Sequence, residues 1–298
     1  MRLPDNVSSS YIWMNGKVIP WTDANIHIIT HGLHYASCVF EGERVYNGQI
    51  FKSEQHTQRL HHSANLIDMQ MPYSVADIEA AKHDLLKKNG LTNAYIRVFA
   101  WRGGEVMGIS AKGATTSVAI TMWEWPSYFP PELRETGISL ETSKWRKPSP
   151  ETAPSHSKAA ALYAIGTMAK DKAGANGYHD ALMLDYRGYV AEASGANIFM
   201  VKDGELYTPT PDCFLNGITR QTIIELAPQN GIKVHEKHIM PDELIQADEI
   251  FVTGTAAEVT AVGKIDDKNF TVGPVTRKLR DAYTDLVNGN EHVYSVGL

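Results

Sequence analysis

Two Asn-Gly dipeptides constrain the fold of the first third of the chain more than any other feature. Asn15-Gly16 and Asn47-Gly48 each lie between two apolar stretches. This dipeptide favours the two-residue turn of an antiparallel hairpin, because both of its residues tolerate a positive φ. The sequence therefore predicts one hairpin within Tyr11–Pro20 and a second that begins with a strand over Cys38–Tyr46.

The remainder of this first part predicts two helices and two strands. One helix begins near Ser53 and ends near Met69, and a second follows the capping signal Ser74-Val-Ala-Asp77 and stops at Gly90. The stretches Ala94–Trp101 and Ser117–Trp125 are almost continuously apolar, which is typical of strands buried on both faces. Residues 1–125 are thus predicted to form a small α+β domain.

A proline-rich segment follows and marks a domain boundary. Pro130 and Pro131 are adjacent and cannot continue a strand ladder, so residues 126–136 are predicted to be an interdomain linker. Beyond it, strands and helices alternate irregularly through residues 137–298, which we expect to form a larger second domain. Predicted strands there are Ala181–Asp185, Ile198–Val201 and one from Phe251, and predicted helices follow Lys158 and Gly217.

Composition excludes several classes of protein. The chain has 298 residues, so about two domains are expected. It contains no apolar run of the length that spans a membrane, and its first residues lack the apolar core of a signal peptide. Cys38 and Cys213 lie far apart, as expected of a protein in the reducing cytoplasm with neither disulfides nor a zinc ribbon. The net charge of −6 and the scattered basic residues argue against a nucleic-acid partner.

Lys158 lies among unusually small neighbours, which are Ser157, Ala159, Ala160 and Ala161. Such neighbours let a bulky flat group approach the backbone around the amine. A lysine held in such a site can lose its proton near neutral pH, and the neutral amine can attack a carbonyl to form a Schiff base. The alternative is a solvated lysine at the start of a helix, which is much the commoner situation for an arbitrary lysine.

Three other segments could bind a cofactor. The helix that begins after Gly217 would present the N–H groups of Ile218 and Thr219 to an anion such as phosphate. Thr255 belongs to a run of small residues whose N–H groups could also hold an anion. Glu192 has small and apolar neighbours, so a buried carboxylate there would need a partner, such as a protonated ring nitrogen. Taken alone, each segment fits an ordinary cap, a tight turn or a structural glutamate at least as well.

Taken in order along the chain, these segments resemble the fold-type IV pyridoxal-phosphate enzymes, and among them the branched-chain amino-acid aminotransferases. The resemblance includes Tyr35–Arg44 and Gln58-Arg59-Leu60 and extends from about Tyr11 to Val287. It implies a two-domain fold like that of D-amino-acid aminotransferase, with a small α+β N-terminal domain and a larger C-terminal domain that contains a mixed pseudo-barrel sheet. It also implies pyridoxal 5′-phosphate as the cofactor, no metal, no membrane partner, and assembly into a homodimer or larger homo-oligomer.

The resemblance also assigns the cofactor contacts. Lys158 would hold the cofactor as a Schiff base and then move protons, which makes it the predicted catalytic residue. Glu192 would pair with the pyridine nitrogen, and Tyr163 would contact the phenolic oxygen of the ring. The phosphate would be held by Arg59, Ile218, Thr219 and Thr255. Because Arg59 comes from the first domain, the resemblance places the site in the cleft between the domains.

The implied reaction is transamination between L-leucine, L-isoleucine or L-valine and 2-oxoglutarate, which gives branched 2-oxo acids and L-glutamate. Arg97 would pair with the side-chain carboxylate of glutamate, while aromatic residues pack the aliphatic side chains. Without the resemblance, Tyr95 and Arg97 would be taken as alternate residues on one face of a strand. The predicted substrate contacts are Tyr35, Phe40, Tyr95, Arg97, Trp125, Tyr128, Thr255 and Ala256.

Rival functions within the same fold are those of D-amino-acid aminotransferase and aminodeoxychorismate lyase. The D-specific relatives tend to have Arg-x-His where this chain has Arg97-Val-Phe99, which favours the L-enzyme. A non-catalytic small-molecule binding protein is a further alternative, and such a protein would be colourless. An enzyme that uses NAD or ATP is disfavoured, since neither Gly-x-Gly-x-x-Gly nor a P-loop is present.

Two residues depart from the family pattern. Leu162 precedes Tyr163 where an asparagine is frequent, and Glu43 occupies a position where an aliphatic residue is common. We expect both to affect packing around the site and the substrate entrance more than the chemistry.

Three histidines at spacings of four and three form a candidate metal site. His27, His31 and His34 would face one side of a helix. The β-branched residues Ile26 and Ile28–Thr30 instead favour a strand, where this spacing scatters the side chains, so no metal is expected.

Overall fold

The computed structural model describes residues 3–4, 7, 10–125, 130 and 132–290, and these divide into two compact units. The first unit consists of the described residues up to 125 together with Ser157–Leu162. The second consists of those from 130 to 156 and from Tyr163 onward. The return of Ser157–Leu162 to the first unit differs from the predicted boundaries, which placed all of 137–298 in a second domain.

The first unit is built on an antiparallel sheet with strand order β2-β1-β6-β5-β3-β4. Its strands are β1 (Tyr11–Met14), β2 (Lys17–Pro20), β3 (Cys38–Tyr46), β4 (Gln49–Ile50), β5 (Ala94–Arg102) and β6 (Thr116–Glu124). Its helices are α1 (His31–His34), α2 (Ser53–Asn65) and α3 (Val75–Asn89), with a 3₁₀ turn at Trp21–Asp23.

The two Asn-Gly dipeptides form the predicted hairpin turns. Asn15 and Gly16 have φ values of 49° and 83°, and Asn47 and Gly48 have values of 49° and 81°. The flanking residues pair directly, Met14 with Lys17 and Tyr46 with Gln49, so each loop contains two residues. Both hairpin predictions are confirmed.

Helices α2 and α3 cover one face of this sheet. Leu60 and Ala64 of α2 and Ile78 and Leu85 of α3 are fully buried in a core with residues of β3, β5 and β6. The predicted start of α3 is confirmed, because Ser74 and Asp77 form a reciprocal capping box.

A buried ion pair lies beneath these helices. Lys82 Nζ of α3 lies 2.8 Å from Glu43 Oε2 of β3, and both side chains have no exposed surface. Lys82 also contacts Glu79 at 2.7 Å and Thr57 Oγ1 at 2.8 Å. Burial raises the pKa of Glu43 to about 7 even though Lys82 lowers it. Alternate residues of a strand face opposite sides of the sheet, and Glu43 lies on the side that the helices cover. Its side chain therefore does not line a substrate entrance, in contrast to the expectation from the sequence.

The second unit contains a larger sheet with parallel and antiparallel pairs. Its main path runs β12-β11-β10-β13-β14-β7-β8-β9, with β15 paired to β14 and a further pairing of β10 with β9. The strands are β7 (Ile138–Lys147), β8 (Asp180–Asp185), β9 (Val190–Ala193), β10 (Asn197–Lys202), β11 (Glu205–Pro209), β12 (Val234–Lys237), β13 (Glu249–Gly254), β14 (Glu258–Ile265) and β15 (Lys268–Asn269).

Helices pack on this sheet and its ends. They are α4 (Leu133–Thr136), α5 (Ala164–Ala175), α6 (Ile218–Gln229), α7 (Pro241–Leu244) and α8 (Pro274–Asn288), with a 3₁₀ turn at Ala160–Tyr163. None of the helices among the described residues combines the length and the apolar character needed to cross a membrane.

The structure bears on two further sequence-based predictions, the strand at Ile28–Thr30 and the linker at residues 126–136. Residues Ile28–Thr30 do not form the expected strand, and His31–His34 instead form the short helix α1, so the strand prediction is wrong. The His31 N–H donates to the Gly103 carbonyl, a contact distant in sequence, and tertiary contacts of this kind can override local β propensity. In the predicted linker, residues 126–129 and 131 lie outside the described residues, and Leu133–Thr136 is helical.

We predict that Lys82→Met destabilises the protein by about 3–5 kcal/mol, because Glu43 and Glu79 both lose their buried ammonium partner. The free energy of urea unfolding measures this loss. Lys87→Met is the matched control, since Lys87 is an exposed lysine of the same helix. It should change stability by less than about 0.5 kcal/mol. Equal losses in the two variants would contradict the prediction.

Candidate active site

Lys158 is fixed to the first unit by its backbone. The Ser157 hydroxyl donates to the Ser63 carbonyl, and the Lys158 N–H donates to Ser63 Oγ, both at 2.9 Å. The Phe40 N–H donates to the Lys158 carbonyl at 3.1 Å. Ser157 and Ala159 are buried. The small residues around Lys158 therefore allow this segment to pack closely on α2 and β3.

The amine of Lys158 lies over an aromatic ring and close to several charges. Its Nζ is 4.9 Å from the centroid of the Phe40 ring. Burial lowers the pKa of Lys158 to about 8, with a further lowering from Arg59 that Glu41 partly offsets. An appreciable fraction of the amine is therefore neutral near pH 7 to 8, which is the form that reacts with carbonyl groups.

Arg59 lies in a buried ionic cluster with Glu41 and His56. Its Nε and Nη2 donate to Glu41 Oε1 and Oε2 at 2.7 and 2.8 Å. His56 Nδ1 lies 2.7 Å from Glu41 Oε2, and the Glu41 side chain is completely buried. Burial alone would raise the pKa of Glu41, but Arg59 and His56 hold it below its ordinary value. Glu41 is therefore a carboxylate in the folded protein.

Arg97 lies among aromatic residues on β5 and β3. Its Nη2 donates to the Tyr95 hydroxyl at 3.0 Å, and its Cζ is 4.7 Å from the centroid of the Phe40 ring. Tyr95 packs on Trp125 with ring centroids 4.7 Å apart. Gly42 is needed here, because a Cβ at this position would overlap the Tyr95 hydroxyl. Arg97 Nε is buried and has no hydrogen-bond partner among the described residues.

The structure thus brings four of the predicted substrate residues together, namely Phe40, Tyr95, Arg97 and Trp125. Tyr35 is exposed and packs its ring on His31 and His34, with centroids at 4.8 and 4.4 Å. Tyr128, also predicted to contact substrate, lies outside the described residues.

Asn197 and Lys147 both contact Glu192 in the second unit. Asn197 Nδ2 donates to its Oε2 at 3.1 Å, and Lys147 Nζ lies 2.6 Å from its Oε1. Burial tends to lower the pKa of Lys147, but Glu192 raises it overall and Tyr163 adds to this effect. Lys147 has no predicted role; it lies at the end of β7 and reaches Glu192 on β9 because β8 pairs with both strands.

Asn197 connects Glu192 to the start of α6. Its Oδ1 accepts the Gly217 N–H at 3.1 Å, while its Nδ2 also donates to the Leu215 carbonyl at 3.0 Å. A Cβ at Gly217 would overlap Asn197 Oδ1, so this glycine is required by the close approach. Ile218 and Thr219 follow directly as the first residues of α6, and both are buried.

Thr255 and Ala256 lie at the same end of the sheet as Asn197 and Glu192. They form the turn between β13 and β14. Thr253 of β13 pairs with Asn197 of β10, and Asn197 pairs with Glu192 of β9. Glu192, the start of α6 and the Thr255 turn are therefore neighbours within the second unit, whereas Arg59, the remaining predicted phosphate contact, lies in the first unit.

Four residues of this arrangement had no predicted role in the site. Glu41 had a usable signal, since a glutamate beside Phe40 in an apolar strand suggests a buried carboxylate, as for Glu192. His56, Lys147 and Asn197 had none, because their contacts join elements that are distant in sequence.

The model of the family described as amino-transferase class IV matches residues 38–265. A branched-chain-amino-acid aminotransferase of Pseudomonas aeruginosa is 42% identical over 291 residues, which cover 95% of both chains. The enzyme of the same name from Escherichia coli K12 is 38% identical over 290 residues and 94% of both chains.

The chain belongs to the class IV aminotransferase family. Solved structures agree with this assignment. The branched-chain aminotransferase of the thermophilic archaeon Thermoproteus uzoniensis with norvaline superposes with a TM-score of 0.91 at 34% identity, covering 96% of this chain and 97% of that one. The Escherichia coli branched-chain amino acid aminotransferase gives a TM-score of 0.92 at 37% identity, covering 96% of this chain and 98% of that one. The predicted fold type is therefore confirmed for this class IV aminotransferase.

We predict that the Lys158 amine of the cofactor-free aminotransferase titrates at about pH 8. Because only the neutral amine is nucleophilic, the rate of acylation at Lys158 should rise through this pH and then level off. Mass spectrometry of the Lys158 peptide measures the rate. A short lysine peptide, whose amine titrates at about pH 10.4, is the reference. A Lys158 profile that coincides with that of the peptide would contradict the prediction.

Proposed function

We propose that this class IV aminotransferase transfers the amino group between L-branched-chain amino acids and 2-oxoglutarate, with pyridoxal 5′-phosphate as its cofactor. The observation that carries the proposal is the Lys158 amine, which has a pKa lowered to about 8 and lies 4.9 Å from the Phe40 ring. A lysine of this kind suits bonding to an aldehyde. The sequence relatives and structural neighbours support the reaction, and one such neighbour is a branched-chain aminotransferase solved with pyridoxamine 5′-phosphate.

The donor groups fit such a cofactor. Arg59 is a guanidinium suited to a phosphate, and the start of α6 presents backbone N–H groups at the positive end of the helix dipole. Glu192 is a carboxylate suited to a protonated ring nitrogen, and the Lys147 ammonium already lies 2.6 Å from it. When bound, the cofactor supplies an electron sink for the charge that develops at the substrate Cα.

Lys158 would hold the cofactor and, once the substrate has displaced its amine, would act as the base. Its neutral Nζ would take the proton from the substrate Cα and, as an ammonium, would give it up on the cofactor side; in the reverse half-reaction it would move the proton the other way. Attachment of its backbone to Ser63 and Phe40 restricts where the amine can lie, which is the positioning that such proton transfer needs.

The remaining cofactor contacts follow the same chemistry. Glu192 would pair with the ring nitrogen and keep it protonated, while Tyr163 would donate its hydroxyl to the ring oxygen. Arg59, Ile218, Thr219 and Thr255 would hold the phosphate. Asn197 supports two of these functions, since it bonds to both Glu192 and Gly217.

Arg97 accounts for the two kinds of substrate side chain. Its buried Nε lacks a hydrogen-bond partner among the described residues, and the side-chain carboxylate of glutamate would supply one. The rings of Phe40, Tyr95 and Trp125 would pack against the aliphatic side chains of leucine, isoleucine and valine. For the rest of the predicted set, we retain Tyr35, Tyr128, Thr255 and Ala256 as proposed substrate contacts.

We also propose a cytoplasmic homo-oligomer. Both cysteines are free thiols, which suits a reducing compartment. Large apolar residues of the first unit are exposed, namely Ile26, Ile28, Leu33, Met107 and Ile109, and burial of such a set against another subunit is favourable.

The purified protein should be yellow and should transfer the amino group of L-leucine, L-isoleucine and L-valine to 2-oxoglutarate, as measured by glutamate formation. Lys158→Ala should abolish this turnover, and borohydride should then no longer fix the cofactor to the chain. Lys87→Ala, an exposed lysine of α3, is the control and should remain active. A colourless, inactive wild type would refute the proposed function, and transfer from D-amino acids at equal rates would refute its stereochemistry.

Arg97→Leu should separate the two half-reactions. Loss of the charge partner should cost the glutamate half-reaction about 2–5 kcal/mol, whereas leucine loses only packing. Single-turnover absorbance changes with each amino acid measure the two rates, so the leucine reaction is the internal control. Equal losses would place Arg97 at the α-carboxylate, which both substrates share, or in a structural role.

A further inference from the structure

Glu41 is the most deeply buried charge near Lys158, and the roles proposed above do not use it. Its side chain has no exposed surface. Its two oxygens accept hydrogen bonds from Arg59 Nε and Nη2 and lie beside His56 Nδ1. Removing a carboxylate from water is energetically costly, so we expect Glu41 to have a structural or a functional role.

We propose that Glu41 is a positioning residue, which fixes the Arg59 guanidinium for the cofactor phosphate and offsets the cations that surround the Lys158 amine. This inference rests on the proposed function, since it concerns how the same cofactor is held.

The first part of the proposal follows from the geometry of Arg59. A guanidinium is planar, so two parallel hydrogen bonds to one carboxylate fix both its position and its plane. Arg59 projects from α2, and Glu41 projects from β3, so the pair orients the arginine relative to the sheet. A single hydrogen bond would leave the guanidinium free to rotate about it.

His56 fixes the carboxylate in turn. Burial lowers the pKa of His56 despite the nearby Glu41, so the ring is neutral at neutral pH. Its Nδ1, at 2.7 Å, must then carry the proton that is donated to Glu41 Oε2. The cluster holds one negative and one positive charge, and the histidine adds orientation without adding charge.

The second part concerns the charges that face the Lys158 amine. The Lys158 segment bonds to Ser63, one turn from Arg59 on α2, and to Phe40, which precedes Glu41 on β3. Arg59 and Arg97 favour the neutral form of the amine, while Glu41 and Tyr95 oppose them. Arg59 is needed for the phosphate, but its charge makes the lysine a weaker base. Glu41 compensates, because it binds the same arginine and acts on the amine with the opposite sign.

Glu43 offers a matched control within the same strand. It lies two residues from Glu41 on the same face of β3, and its side chain is equally buried. It bonds to Lys82 of α3, whereas Glu41 bonds to Arg59 of α2. The same isosteric change can therefore be made at both sites, and only Glu41→Gln removes the carboxylate that contacts Arg59.

The experiment compares Glu41→Gln, Glu43→Gln and Arg59→Met with the wild type, each loaded with pyridoxal 5′-phosphate. Two quantities are measured. The first is the dissociation constant of the cofactor, and the second, the titration pH, is the midpoint of the pH-dependent change in the visible absorption band of the bound cofactor. Glu41→Gln should raise the dissociation constant roughly tenfold, as for loss of hydrogen bonds to a charged group. It should also lower the titration pH by about one unit, since an anion near the Lys158 nitrogen, which carries the cofactor and titrates with the band, is lost.

Arg59→Met should weaken cofactor binding too, but it should raise the titration pH, because a cation is removed. Glu41→Gln and Arg59→Met should thus both weaken cofactor binding but shift the titration pH in opposite directions. This result would support the proposal, because a non-specific destabilisation of the site would shift the titration pH of both variants in the same direction. Glu43→Gln should change the dissociation constant by less than about twofold and the titration pH by less than about 0.3 units. Both changes are well below those expected of Glu41→Gln.

Equal effects of Glu41→Gln and Glu43→Gln, or wild-type values in Glu41→Gln, would overturn the proposal. If Glu41→Gln does not fold, Glu41→Asp serves in its place, because it keeps the charge but cannot reach both arginine nitrogens. It should raise the dissociation constant and leave the titration pH nearly unchanged, and an unchanged dissociation constant would overturn the proposal. A wild type that binds no cofactor would instead refute the proposed function.

Discussion

The attachment of one short segment to the first unit is the constraint on which the candidate site depends. Ser63 of α2 bonds to both Ser157 and Lys158, and β3 bonds to the Lys158 carbonyl through Phe40. These contacts bury the amine over the Phe40 ring and near Arg59, and this burial together with the Arg59 charge lowers its pKa to about 8. A lysine on a free loop would remain solvated and protonated, so the lowered pKa is a property of this packing.

Strand β3 combines the structural and the functional charges of the first unit. Glu41 and Glu43 lie on the same buried face, and each is neutralised by a helix, the first by Arg59 of α2 and the second by Lys82 of α3. Phe40 and Gly42 lie on the opposite face, where they contact Arg97 and leave space for the Tyr95 hydroxyl. The period of two in a strand thus separates the charges that hold the helices from the surface proposed to hold substrate.

In the second unit, a single amide performs a comparable function. Asn197 bonds to Glu192 and to the Gly217 N–H, and it pairs across the sheet with Thr253. The carboxylate, the start of α6 and the turn that contains Thr255 are therefore held in fixed relation. Lys147 adds a cation 2.6 Å from Glu192, so the buried carboxylate is paired.

The sequence by itself determined the local elements and suggested the candidate site residues. The Asn-Gly turns, the Ser74 capping box and the glycine before α6 are signals within a few residues, and each gives the expected structure. Lys158 and Glu192 were recognised as candidates because small neighbours are also a local feature. Tertiary structure alone decided that Ser157–Leu162 joins the first unit, that Glu43 faces Lys82, that His31–His34 is helical and that Lys147 pairs with Glu192. Each of these depends on partners distant in sequence, whose approach local propensity does not encode.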